Sequence, residues 1–238
     1  MKVDLWHVRT DAVDASLARK CHDVMAPAER ARHARFVFAR HRHEYAVTRG
    51  LARGVLASYV RRRPDELSFQ LTDHGRPILE QAGDLEFNLS NSVDLVVCAV
   101  TRRGDVGVDT EPLARAGQIV GVSDVVFTPT ERQRLFELPD GSRLRRAVEL
   151  WTQKEAYMKA RGLGMSLPVD RFEIVHDDAA PVRLRFFPPI EDAPDRWALR
   201  TLELEAHLVS LCVQVAGEPD VEIAIRRADL GSLLDTPR

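Results

Sequence analysis

Hydrophobic and polar positions along this chain switch repeatedly between a period of two and a period near 3.6. Lys2 to Val8 alternates, which predicts a strand, because successive strand side chains project to opposite faces. Asp14 to Val24 carries helical spacing. Pro27 opens a second helical region, at a position where its missing N–H costs nothing, and that region runs to Arg63-Pro64. Its apolar positions are Phe36, Tyr45, Val47, Leu51, Val55 and Leu56; between them stand Arg30, Arg32, Arg35, Arg40, Arg42, Arg49 and Arg53. Leu67 to Leu71 predicts a short strand, followed by a turn over Asp73-His74-Gly75-Arg76-Pro77.

Strands are expected at Leu85–Leu89 and Leu95–Thr101. Arg102-Arg103-Gly104-Asp105 reads as a hairpin turn, with Val106–Glu111 as the return strand. Pro112 to Gly121 has turn-like composition and marks a boundary between halves, giving an N-terminal half over 1–115 and a C-terminal half over 116–238. Helices follow at Thr130–Leu138 and Ser142–Arg161. Phe172–Val175, Val182–Phe187, Trp197–Glu205, Leu208–Val215 and Val221–Ile225 are strand-like.

Composition narrows the class. At 238 residues, 45% hydrophobic and 29% charged, the chain has the make-up of a soluble globular protein. A net charge of −2 argues against a surface built for nucleic acid. No apolar run reaches membrane length, and charge interrupts the start where a signal peptide needs an apolar core, so a cytoplasmic protein is expected. Cys21, Cys98 and Cys212 lie far apart, the last two in apolar runs, which predicts buried free thiols. The chain has four lysines, Lys2, Lys20, Lys154 and Lys159, so two of the four fall within six positions of each other.

Two segments carry candidate chemistry. In Val106-Gly107-Val108-Asp109-Thr110-Glu111 the valines point one way and Gly107, Asp109 and Glu111 the other. Two carboxylates about 4 Å apart repel by roughly 4 kcal/mol at an effective dielectric near 20, so such a pair calls for a cation or a retained proton. Hard oxygen ligands of this kind suit Mg²⁺, and Gly107 leaves room beside them for a ligand. An exposed acidic strand end is the other reading. In Trp151-Thr152-Gln153-Lys154-Glu155-Ala156-Tyr157-Met158-Lys159, helical spacing stacks Trp151, Glu155 and Lys159 on one face. An amphipathic helix with Trp151 in the core gives the same pattern. His33, His41 and His43 do not make a zinc site, since His41 and His43 sit two apart and face different ways on a helix.

Taken together, these segments resemble the two signature motifs of the Sfp-type 4′-phosphopantetheinyl transferases. Gly107-Val108-Asp109-Thr110-Glu111 matches the first and Trp151 to Gly164 the second, about 40 residues apart. Gly75-Arg76-Pro77 resembles the family's Gly-Lys-Pro turn, and Phe87-Asn88-Leu89-Ser90-Asn91-Ser92 its Phe-Asn-(Ile/Leu)-Ser-His-Ser strand end. The resemblance implies an α+β fold with a pseudo-twofold arrangement of two similar halves. Each half is a small, mainly antiparallel sheet packed with helices, and the active site lies between them. It implies an enzyme, monomeric, that moves the phosphopantetheine arm of coenzyme A onto a serine of an acyl or peptidyl carrier protein, with Mg²⁺, in secondary metabolism. A non-catalytic coenzyme A-binding relative and a small-molecule phosphotransferase are the competing classes.

Carried over by position, the resemblance implies Asp109, Glu111 and Glu155 as metal ligands and Lys159 as the cation facing the phosphates. Glu131, in Phe127-Thr128-Pro129-Thr130-Glu131, matches an acid that orients or deprotonates the serine. Gly75, Arg76 and Pro77 would line the adenine end. Ser90 and Asn91, with Arg32 and Arg49, would meet the coenzyme A phosphates. Arg76 and Asn91 depart from the family's lysine and histidine; the first keeps the charge, and the second loses it. Trp151 reads as a packing anchor for its helix.

Overall fold

The alternating stretch at the N-terminus forms β1 (Lys2–Arg9), and three helices follow: α1 (Ala15–Asp23), α2 (Pro27–Ala34) and α3 (Ala39–Val60). Next come β2 (Phe69–Leu71), β3 (Pro77–Leu79), β4 (Glu86–Ser92), β5 (Leu95–Thr101) and β6 (Val106–Pro112). Four helices fill the middle: α4 (Ala116–Gly121), α5 (Ser123–Val126), α6 (Pro129–Glu137) and α7 (Asp140–Arg161). The chain ends in β7 (Phe172–Asp177), β8 (Ala180–Phe186), β9 (Trp197–Leu204), β10 (His207–Gln214), β11 (Glu222–Arg227) and α8 (Leu230–Leu234). The computed structural model describes residues 1–177, 180–215 and 220–235, so the last three residues of the expected second half lie outside it. Among the described residues no helix is long and apolar enough to cross a membrane.

The fold is α+β, as expected. One sheet runs β11-β1-β5-β4, and a second runs β6-β10-β9. Pairing is antiparallel except between β1 and β11. Each of these sheets carries one 22-residue helix, α3 on the first and α7 on the second. Val3, Leu5, Leu95, Val97 and Ala99 of the first sheet meet Val106, Val108, Val209, Leu211 and Val213 of the second in a dry layer. The opposite face of β5, with Val96, Cys98 and Val100, packs into the core that includes Val47, Leu51 and Val55 of α3. β5 is therefore apolar on both faces, which is why its sequence runs without alternation.

This layering corrects the expected hairpin at Arg102–Asp105. β6 does not pair with β5; it crosses to the second sheet and pairs with β10 over Val106–Pro112. Two valine faces, on β5 and β6, are better buried against each other than edge to edge. Strand pairing also crosses the division expected at residue 115: β6 joins the later strands, while β11 and α8 return to β1 and α3. The segment expected to be turn-like holds α4, because Ala116 and Ile119 are three apart and both buried. The basic helical region breaks at 35–38, where Arg42 Nη1 donates to the carbonyls of Phe36 and Val37. Arg53, 1% exposed, is an internal clamp: it binds Glu29 and the carbonyls of Pro64 and Leu67. Cys21, Cys98 and Cys212 are free and buried.

Candidate active site

The acid-bearing strand and the lysine-bearing helix meet face to face. Gly107 makes the approach: a Cβ there would lie 2.0 Å from the Ala156 carbonyl oxygen and 2.4 Å from the Ala160 nitrogen. The space expected to admit a ligand at Gly107 is thus filled by the backbone of α7. That close contact sets Asp109, two residues on and on the same face, against the last turns of the helix. α7 ends at Gly162, which takes the left-handed conformation (φ 65°) and donates its N–H to the Lys159 carbonyl.

Lys159 Nζ donates to Asp109 Oδ1 at 2.6 Å and to Ser90 Oγ at 2.9 Å; Ser90 Oγ donates in turn to Asp109 Oδ1 at 2.9 Å. Asp109 Oδ2 is buried and has no hydrogen-bond partner. Glu155, one turn before Lys159, feels the charges of Asp109, Lys159 and Glu111 but gains no hydrogen bond. Burial raises the Asp109 pKa against the pull of Lys159, and burial together with Asp109 raises that of Glu155. The structure thus places Asp109 against Lys159 and Glu155 within range of the charges of Asp109, Lys159 and Glu111; among the described residues no three acids are spaced to hold a metal ion together. Two residues of the polar strand end, Asn88 and Ser92, and one residue that the sequence does not single out, Arg115, join the cluster. Asn88 Oδ1 accepts from Val108 N, Ser92 Oγ donates to Glu111 Oε2, and Arg115 Nη1 donates to Glu111 Oε1. Asn88, Ser90 and Ser92 form a polar ladder at period two on β4, so strand alternation alone holds the signal for two of the three.

Glu131, expected as a catalytic acid, lies outside this cluster. It caps α6 by accepting from Thr128 N, and it also accepts from Lys154 Nζ at 2.7 Å and Ile174 N at 2.7 Å. Both oxygens are engaged in the core between α6, α7 and β7, and the residue is 4% exposed.

The other expected ligand contacts fall in two places. Gly75 is exposed at φ 80°, with open space where a Cβ would stand. Arg76 donates to the Ala160 carbonyl at 3.1 Å and to Glu86 at 2.9 Å, so its charge is committed to the end of α7. Pro77 opens β3 opposite Leu71. Arg32 and Arg49 stack on the Tyr45 ring at 5.6 and 5.5 Å, and Arg49 Nε is buried without a partner. A cleft of about 460 Å³ lies beside them, lined by Ala28, Arg32, Arg35 and Phe36. Asn91 is exposed, on the face of β4 opposite Ser90. A larger cleft, about 650 Å³, opens against Met1, Asp4 and Tyr59 and touches none of these residues. Trp151 packs against the core beneath α7, as expected of an anchor.

Comparison with known proteins bears on the same segments. Residues 105–212 match the model of the 4′-phosphopantetheinyl transferase superfamily, and residues 14–103 match that of the 4′-phosphopantetheinyl transferase N-terminal region. The 4′-phosphopantetheinyl transferase HetI of Nostoc sp. is 31% identical over 219 residues, covering 91% of this chain and 88% of HetI. The 4′-phosphopantetheinyl transferase Sfp of Bacillus subtilis is 26% identical over 158 residues, 65% of this chain and 68% of Sfp. A solved apo-ACPS structure from Chronobacterium ammoiniagenes aligns with 46% of this chain and 96% of its own, at 21% identity and a TM-score of 0.38. On the strength of the two family matches and the near full-length likeness to HetI, the chain belongs to the 4′-phosphopantetheinyl transferase superfamily.

Proposed function

We propose that this chain is an Sfp-type enzyme that transfers the 4′-phosphopantetheine arm of coenzyme A to a serine of an acyl or peptidyl carrier protein. The serine oxygen forms a bond to the phosphorus that carries the pantetheine. The pyrophosphate P–O bond breaks, and adenosine 3′,5′-bisphosphate leaves, its new terminal phosphate oxygen taking up overall the proton that the serine hydroxyl gives up. Such a transfer needs positioning and charge neutralisation more than covalent help. The chain's own residues supply both. Lys159, the one cation at the acid cluster that also reaches Ser90, faces the phosphate charge as it builds. Arg32 and Arg49 meet the phosphates at the far end of coenzyme A, where the unpartnered Arg49 Nε is an open donor.

The observation that carries this reading is the buried, unpartnered Oδ2 of Asp109 beside a Glu155 that makes no hydrogen bond. Two desolvated carboxylates with free lone pairs are a hard-oxygen donor set, which fits Mg²⁺. The residues that would hold it are Asp109, Glu155 and Glu111. When bound, the ion neutralises the pyrophosphate and withdraws charge from the breaking P–O bond. Transfer is tested by mixing the protein with coenzyme A, Mg²⁺ and a panel of apo-carrier proteins and weighing the carriers. A gain of one phosphopantetheine is expected. Coenzyme A binding with no gain on any carrier would instead leave a non-catalytic binding protein.

A further inference from the structure

The hairpin between β4 and β5 is a strained part of the rim beside the acid cluster. Ser92 pairs with Leu95, so Val93 and Asp94 are the two turn residues. Val93 holds a φ of 53°, at the first turn position, where glycine is a usual choice. A β-branched side chain in the left-handed region is an outlier, and it persists only where its surroundings over-determine it. They do so here. Ser92 Oγ donates to Glu111 of β6. The Ser92 carbonyl lies 3.2 Å from Nε2 of His207, the first residue of β10. The Asp94 carboxylate accepts from Arg9 Nη2, and its carbonyl accepts from Thr10 N at 2.7 Å. Both neighbours of Val93 are thus tied to other elements, while its own side chain stands 61% exposed.

Neither core packing nor turn chemistry explains a valine there, because the side chain is outside the core and glycine or asparagine would form the turn at less cost. An isopropyl group has no donor and no charge, so it offers a phosphate nothing. The side chains that tie the turn to the cluster are polar or charged: Arg9, Asp94, Ser92, Glu111 and, through Glu111, Arg115. An apolar anchor inside a polar rim is the make-up of a contact between proteins. The reaction proposed above brings one protein to this cluster, the carrier that bears the serine. We propose that Val93 is a specificity-determining contact for that carrier: the turn holds the side chain out beside the acid cluster, where it meets an apolar side chain of the carrier near the acceptor serine. This rests on the transferase reading and deepens it by naming a residue that selects the protein substrate.

Steady-state kinetics test it, with one carrier that the unaltered chain modifies and with carrier and coenzyme A varied in turn. Val93→Gly removes the side chain and relaxes the backbone. The KM for the carrier is expected to rise about five- to tenfold, as for the loss of one partly buried valine side chain. The value of kcat and the KM for coenzyme A should stay within about twofold, and the melting temperature should hold or rise. Val93→Asn, which tolerates the left-handed backbone but is polar, should raise the carrier KM about as far, whereas Val93→Ile, still apolar and branched, should stay within about twofold of the unaltered chain. A purely structural role would leave the carrier KM unchanged in Val93→Gly and Val93→Asn, and that result overturns the proposal. A rise in the KM for coenzyme A overturns it as well, because the side chain would then meet coenzyme A. If the unaltered chain modifies carriers and Val93→Gly matches it, this proposal fails and the transferase reading stands; if the unaltered chain modifies no carrier of the panel, both fail.

Discussion

α7 carries two lysine–carboxylate pairs, five residues apart, and they are built to opposite ends. Lys154 and Glu131 meet at 2.7 Å with side chains 1% and 2% exposed. Every group there is satisfied: Lys154 also donates to the Phe172 carbonyl and sits 4.5 Å over its ring, and Glu131 accepts two backbone N–H groups besides. Lys159 and Asp109 meet at 2.6 Å, with the lysine 27% exposed. Here Asp109 keeps an orphaned oxygen, and Glu155 adds a second negative charge without a hydrogen bond. A closed pair fixes the helix; an open pair is incomplete until something else binds. The same residue types on one helix thus serve architecture in one place and recognition in the other, and hydrogen-bond satisfaction tells them apart.

The comparison breaks most sharply at Glu155. Glu155→Gln keeps the shape and removes one charge of the open cluster. Carrier modification, followed by mass, is expected to fall about 10²–10³-fold, the loss typical of removing one electrostatic stabiliser of a transition state. The metal-free protein should hold or gain stability, since the lost charge was buried beside Asp109. Normal turnover in this variant would sink the assignment. Lys154→Met tests the closed pair. It leaves Glu131 charged and buried, and chemical unfolding should show a loss of about 3–5 kcal/mol. Changing both partners to apolar residues should recover much of that loss, and turnover per folded molecule should stay near that of the unaltered chain. A fall in turnover with stability intact would restore Glu131 to a catalytic role.

What the sequence made legible follows the range over which each signal acts. The two acids on one face of β6 follow from strand alternation, and Glu155 with Lys159 from helical spacing; both are local. The Lys154–Glu131 pair spans 23 positions and joins two helices, so no periodicity announces it. Glu131 sits in a motif that resembles a catalytic one, and only its three partners show that it ties α6 to α7 and β7. The crossing of β6 to β10 was hidden for a similar reason. Arg-Arg-Gly-Asp is sound hairpin chemistry, and Gly104 does turn the chain at φ 69°, but the choice of sheet depends on the Val209–Val213 strand a hundred residues later. At Gly107 the sequence suggests room for a ligand, because it cannot say that the backbone of Ala156 and Ala160 comes close.

The pH response separates the open pair from the closed one. Asp109 and Glu155 both have raised pKa values, so the folded chain binds their protons more tightly than the unfolded chain does. Their favourable contribution is full below the unfolded values and is lost as pH rises through the folded ones. The metal-free protein should therefore lose part of its stability as pH climbs out of the acid range, and Glu155→Gln should flatten that slope in thermal melts. Ion binding needs both groups charged and releases their protons, so Mn²⁺ affinity should rise as pH climbs above the ordinary carboxylate range. An affinity independent of pH would remove these two carboxylates from the site.

The smallest effect is expected at Asn91, on the side of β4 away from the acids. Phe87 and Leu89 share its face and pack toward the core beneath α3, the helix that carries Arg49. Asn91 is exposed there and has no charge to offer a phosphate. Asn91→His adds a ring nitrogen that can donate, and a charge in the fraction that is protonated. The KM for coenzyme A should fall by no more than about threefold or stay unchanged, in keeping with a single exposed hydrogen bond worth about 0.5 kcal/mol. The value of kcat should not move, because the open cluster lies on the opposite face of the strand. Steady-state kinetics with one carrier at saturation decides the matter. A marked loss of kcat would mean that the two faces of β4 act as one site, and the separation between phosphate-binding and metal-binding sides would have to be redrawn.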